Sequence, residues 1–184
     1  MNINQQSGLL DGCRYHCSPN QDPRPECDDI SGIVIHNISL PPGEFGGEWI
    51  DDLFLNRLDS DAHPYFAQIA DIKVSAHILI RRDGEIIQYV PFTQRAWHAG
   101  KSSWDGRECC NDFTIGIELE GCDDQQFEPQ QYQQLAKVIT LLCASYPTLT
   151  TENIKGHQDI APDRKTDPGS YFNWSTLYKL LGKH

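Results

Sequence analysis

Apolar residues in this chain follow two rhythms, and the change between them marks the elements. "GIVIHNISL" (32–40) is a β-branched run bounded by turn residues, the pattern of a buried strand, and the "PPGEFGG" after it holds too much Pro and Gly to continue. In "EWIDDLFLNRL" (48–58), Trp49, Leu53, Phe54 and Leu58 recur at helical spacing and predict a short amphipathic helix. "VSAHILIRRDGEIIQYVPF" predicts two strands about an Asp83-Gly84 hairpin turn. A polar loop leads to "FTIGIELEG" (113–121), where Ile115, Ile117 and Leu119 alternate with Gly116, Glu118 and Glu120, so the strand's two faces differ. "PQQYQQLAKVITLLCASYP" (129–147) opens with Pro at a helix start. It repeats Tyr132, Leu135, Ile139, Leu142 and Tyr146 at three- and four-residue steps, predicting a core helix. "NWSTLYKLLGKH" closes the chain as a last short helix. Residues 1–30 carry no period and read as an irregular lead-in packed on the domain. With no repeat or linker, 31–184 is expected to be a single α/β domain, a mixed central β-sheet flanked by helices.

Composition narrows the function. Of 184 residues, 39% are hydrophobic and 22% charged, the balance of a globular chain. A formal net charge of −11 repels phosphate backbones, and no basic stretch is long enough to offset it, so nucleic acid is excluded as a partner. The first twenty residues lack a basic n-region and an apolar run. No segment approaches the roughly 20 apolar residues of a membrane span, so the expected place is the cytoplasm, with no membrane partner and a monomer as the default state. Seven cysteines, at 13, 17, 27, 109, 110, 122 and 143, form no disulfide framework and suit a reducing compartment.

Candidate chemistry collects in "GHQDIAPDRKTDPG" (156–169), a polar segment expected to be a loop. His157 begins it and Asp167 ends it, while His36 stands near the end of the first strand. Two histidines and a carboxylate are the three protein ligands of a catalytic zinc, which leaves a fourth position open. Pro168 favours an extended Asp167, which turns Lys165 to the same side, where an ammonium would stabilise an oxyanion. The alternative for Lys165 is an exposed surface lysine. Glu118 is either a solvated carboxylate on an open strand face or a partly desolvated general base. His77, in mid-strand, reads as a packing residue or a support for a ligand. Trp97 and His98 either line a sugar or peptide cleft or sit in a surface loop. Cys13, His16, Cys17 and Cys27 are either a structural zinc set or free side chains.

These segments, with "VIHNISLPPGEFGG", "RAWHAG" and "NDFTIGIELEG", resemble the zinc N-acetylmuramoyl-L-alanine amidases, the family of the phage T7 lysozyme type of amidase and the peptidoglycan recognition proteins. The resemblance runs from about residue 31 to the final helix, and is closest to those acting on anhydromuramyl peptides. It implies one Zn²⁺ on His36, His157 and Asp167, with Glu118 and Lys165 catalytic and Asn37, Trp97 and His98 lining the cleft. The implied reaction hydrolyses the amide between the lactyl group of 1,6-anhydro-N-acetylmuramic acid and L-Ala of a muropeptide, in peptidoglycan recycling, with consequences for β-lactamase induction. Two basic family positions that meet the peptide's carboxylates correspond here to Lys73 and Cys109. The thiol removes a paired donor that Arg107, two residues away, is expected to replace. The competing expectations are a periplasmic amidase acting on intact peptidoglycan, which needs an export signal, and a non-cleaving peptidoglycan receptor, which would be expected to lose a zinc ligand.

Overall fold

The computed structural model describes residues 1–182. Two seven-residue strands form its centre. β-branched and Leu residues fill them because both faces are covered, as parallel strands require. The short strands of the N-terminal region come first: β1 (Ile3–Asn4), β2 (Leu9–Leu10), β3 (Arg14–Tyr15) and β4 (Gln21–Pro23). The first central strand, β5 (Gly32–Ile38), precedes helix α1 (Trp49–Phe54). The hairpin strands are β6 (Ile78–Ile80) and β7 (Ile86–Gln88). Then come β8 (Gln94–Ala96), β9 (Ser103–Trp104), β10 (Arg107–Glu108) and the second central strand, β11 (Thr114–Glu120). Helix α2 (Pro129–Ser145), β12 (Ile154–Gly156), the single turn α3 (His157–Ile160) and α4 (Trp174–Leu180) complete the chain. The main sheet runs β12-β5-β11-β6-β7-β3. Strands β12, β5, β11 and β6 are parallel and β7 is antiparallel to β6, so the sheet is mixed as expected.

Alternation assigns each face. Ile33, Ile35, Ile115, Ile117 and Leu119 turn to α2, whose Leu135, Val138, Ile139 and Leu142 bury against them. On the other face α1 packs Ile50, Leu53 and Phe54 on Leu79 and Ile87, while Val34 joins Trp104, Phe113 and Ile160. Between these two apolar patches, β5 and β11 present His36 and Glu118, which are direct neighbours in the parallel register. The site therefore lies toward the carboxyl ends of parallel strands, where α/β sheets deliver functional groups.

Several boundaries differ from the sequence expectation. Helix α1 stops at Phe54 rather than 58, because Asn56 takes a left-handed conformation (φ 58°) and exchanges amide hydrogen bonds of 2.9 Å with Asn20. The hairpin turns at Gly84 (φ 86°), but pairing begins only at Ile80 with Ile86, so its loop is wider than a two-residue turn. The 156–169 segment is not wholly loop, since β12 leads into it and His157 opens a helical turn. Helix α4 spans Trp174–Leu180, capped by Asn173 accepting from the Thr176 amide at 2.9 Å, and the expected last two residues lie outside the described ones. The N-terminal thirty residues also enter the architecture. β3 adds the outer strand beside β7, β4 pairs with β8, and buried Arg24 donates to the carbonyls of Phe92, Asp112 and Thr114. Among the described residues, no helix is long and apolar enough to cross a membrane.

Candidate metal centre and cleft

Strand β5 carries His36 inward, 1% exposed, and α3 presents His157, 2% exposed, from the end of the adjacent strand β12. Asp167, at the far end of the polar segment, closes the third side. His36 Nδ1, His157 Nδ1 and Asp167 Oδ2 stand 3.0 Å from one another, pair by pair. Tetrahedral zinc with ligands at about 2.0–2.1 Å separates its donor atoms by roughly 3.3 Å, so this triangle needs only a small expansion to hold one. The donor chemistry agrees. His157 Nε2 donates to the Ala99 carbonyl at 3.1 Å, which fixes the ring with Nδ1 turned to the other two donors. Burial is the main force holding the His36 imidazole neutral, its pKa lowered to about 4 despite the Asp167 carboxylate. For Asp167, burial alone raises the pKa, but the hydrogen bond with His157 Nδ1 and the contact with the His36 ring outweigh it and hold the carboxyl below its ordinary range. Among the described residues this is the single convergent group of potential metal ligands.

Glu118 flanks the triangle. Its Oε2 is buried with no hydrogen-bond partner, and burial, then the Asp167 charge, push its pKa well above the usual carboxylate range against the pull of Lys165. A buried oxygen that accepts nothing is anomalous in a folded chain unless something else binds there. Lys165 is exposed and borders the same cavity just after a turn, its amide donating to the Ala161 carbonyl at 2.9 Å.

The cavity is about 850 Å³ and is lined by the triangle, Glu118, Asn37 and Lys165 among others. Asn37 donates to Asp123 Oδ1 at 2.7 Å, which fixes its amide on the rim. Tyr65, Ile69, Ile72 and Val74 add an apolar wall. The sequence reading assigned no role to this wall, although Tyr65, Ile69 and Ile72 recur at three- and four-residue steps. Other expected residues fall elsewhere. Lys73 is exposed between two wall residues. Trp97 turns its Nε1 to Asp22 at 3.2 Å and does not border the cavity. Arg107, expected to replace a peptide-facing arginine, is not among the residues that line the cavity. Its guanidinium is bound to Asp29 and stacked 3.7 Å from the Phe113 ring centroid, and Cys109 does not line the cavity either. His98 borders the cavity, but His36 and Thr114 engage both its ring nitrogens. His77 is a packing residue, accepting from the Gly116 amide and donating to the Gln94 carbonyl. Cys13, Cys17 and Cys27 are free thiols and His16 pairs with Asp51, so they form no second zinc set among the described residues.

Fold and site together define a hydrolase of amide bonds built on a mixed sheet, and residues 26–170 match the N-acetylmuramoyl-L-alanine amidase family, to which this chain belongs. Within that family, the 1,6-anhydro-N-acetylmuramyl-L-alanine amidase AmpD of Salmonella typhimurium (strain SL1344) is 63% identical over 174 residues, covering 95% of this chain and 92% of its own. The crystal structure of a selenomethionine derivative of AmpD superposes with a TM-score of 0.95 at 56% identity, over 98% of this chain and 99% of its own. A more distant solved structure is the Escherichia coli amidase AmiD in complex with anhydro-N-acetylmuramic acid-L-Ala-D-γ-Glu-L-Lys. It is 31% identical, covers 98% of this chain and 65% of its own, and has a TM-score of 0.62.

Proposed function

We propose that this chain hydrolyses the amide joining the lactyl group of 1,6-anhydro-N-acetylmuramic acid to L-Ala of a muropeptide, with one Zn²⁺ held by His36, His157 and Asp167. The observation that carries the reading is the triangle of donor atoms at 3.0 Å beside an unpartnered, buried Glu118 oxygen. The near-complete alignment with an AmpD at 63% identity supports this choice of substrate. Bound zinc supplies a Lewis acid for the amide carbonyl and acidifies the attacking water. Glu118 takes a proton from that water at Oε2 as the new C–O bond forms, and passes it to the nitrogen of L-Ala as the C–N bond breaks. The Lys165 ammonium faces the negative charge that develops on the carbonyl oxygen. Asn37, held by Asp123, orients the substrate at the rim, and the apolar wall receives the less polar faces of the ligand. Lys73 meets a carboxylate of the stem peptide from the edge of that wall. The recycling role carries a cytoplasmic location with it, and we propose that the enzyme acts as a monomer.

The test is mass spectrometry of the products when zinc-loaded protein meets anhydromuramyl tripeptide, with intact sacculi in parallel. Free tripeptide with sacculi untouched is the expected result, cleavage of both substrates points to a broader cell-wall amidase, and cleavage of neither sinks the proposal. Asp167→Ala should lose zinc. Glu118→Ala and Lys165→Ala should keep zinc and lose roughly 10²–10⁴-fold in turnover.

A further inference from the structure

His36 can bind a cation through Nδ1 only if its proton sits on Nε2, and nothing in an isolated imidazole fixes that choice. Behind the ring, His36 Nε2 lies 2.9 Å from His98 Nδ1, and His98 Nε2 lies 3.2 Å from Thr114 Oγ1. Thr114 in turn stands 2.6 Å from the Cys110 carbonyl. A carbonyl only accepts, so the Thr114 hydroxyl spends its one proton on Cys110 and must accept at its oxygen from His98 Nε2–H. With its proton on Nε2, the neutral His98 ring has a bare Nδ1, which accepts from His36 Nε2–H. His36 Nδ1 is then bare and directed at His157 and Asp167. Every step is forced by the one before it, starting from a backbone carbonyl.

We propose that Thr114 and His98 are positioning residues for the metal centre, a hydrogen-bonded relay that fixes His36 in the tautomer whose Nδ1 can bind the ion. The inference rests on the zinc reading above and reassigns His98 from the cleft wall to the support of a ligand. The surroundings are built for it. Thr114 is fully buried, His36 and His98 meet edge to face with centroids 5.0 Å apart, and His98 lies flat against Gly116. A Cβ at Gly116 would fall 2.3 Å from His98 Cγ, so the missing side chain is the space the relay's middle ring occupies. Strand β11 thus supplies three parts of one device at alternate positions: Thr114 ends the relay, Gly116 makes room for it, and Glu118 faces the reacting atoms.

The experiment uses the full chain and two substitutions of one buried residue. Thr114→Ser keeps the hydroxyl, whereas Thr114→Val keeps the shape and removes it. Zinc affinity is measured by competition with a chromogenic chelator, and the ring tautomers of zinc-free protein by ¹⁵N-detected imidazole spectra. The native chain should show both His98 and His36 protonated at Nε2. Thr114→Ser should bind zinc within about twofold of native, and Thr114→Val should bind roughly 10–100-fold more weakly, as expected on losing a ligand's hydrogen-bonded support. In Thr114→Val the His36 signals should also report proton on Nδ1. Native-like affinity in Thr114→Val, or weakened affinity with His36 still protonated only at Nε2, overturns the relay. So does a native spectrum with His98 protonated at Nδ1, which needs no variant to fold. If native protein takes up no zinc, the metal centre itself fails, a result distinct from these.

Discussion

Glu118 is costly to the fold it serves. Its Oε2 is buried with no donor, and burial followed by the Asp167 charge holds its pKa well above the ordinary value of about 4.3. A carboxyl whose pKa is raised by folding keeps a proton that the unfolded chain has lost. In zinc-free protein its contribution to stability is therefore full at acid pH and falls as pH rises from the ordinary value toward the raised one. Glu118→Gln removes the ionisable group while keeping the shape. It should raise the stability of the zinc-free chain near neutral pH by about 1 kcal/mol and flatten this part of the pH profile, while abolishing turnover. Urea unfolding with chelator present, at a series of pH values, checks it; an unchanged or steeper decline would show that Glu118 is solvated in the native state.

Gln131 plays the corresponding role between elements. It is fully buried, and its Nε2 donates to the carbonyls of Ile80 and Glu120 at 3.2 and 3.0 Å while its Oε1 accepts the Glu128 amide at 2.9 Å. It ties the start of α2 to the ends of β6 and β11, two residues beyond Glu118. Gln131→Ala strands these buried groups and should cost about 2–4 kcal/mol in urea unfolding, against less than about 0.5 kcal/mol for Gln133→Ala on the exposed side of the same helix. A cost for Gln131→Ala no larger than that of Gln133→Ala would mean that the helix docks by apolar packing alone. Helix α2 and strands β5 and β11 were legible in the sequence because their core-facing residues state their own period. The partners of Gln131 were not, since they lie 11 and 51 positions away. The same limit explains the first thirty residues, whose strands are two or three residues long: β3 and β4 exist through pairing with β7 and β8, and β1 and β2 pair with each other, without any local rhythm. At the site, residue type and spacing pointed to His36, His157, Asp167, Glu118 and Lys165, which the structure gathers around one cavity. The commitment of Arg107 to Asp29, the turn under Lys165 and the relay behind His36 depend on tertiary neighbours that spacing cannot name.

The three proposed ligands belong to separate parts of the molecule: a central strand, the helical turn after the edge strand β12, and a loop that is 131 positions from His36 in the chain. An ion bound there ties these parts only while the chain is folded, so it stabilises the native state by RT ln(1 + [Zn]/Kd), about 2.7 kcal/mol at a hundredfold excess over Kd. For a chain of this size, each kcal/mol moves the melting temperature by roughly 2–4 °C, so adding chelator should lower it by about 5–11 °C. The shift should grow with the logarithm of free zinc and should nearly vanish in Asp167→Ala, which has lost a ligand. Lys165→Ala separates ligation from catalysis: with the triangle intact it should keep the full zinc-dependent shift while losing turnover. Calorimetry of the native chain and both variants reads all three quantities. A native melting temperature indifferent to zinc would mean that no ion joins the strand, the turn and the loop, whereas a shift that survives in Asp167→Ala would place the ion elsewhere in the chain.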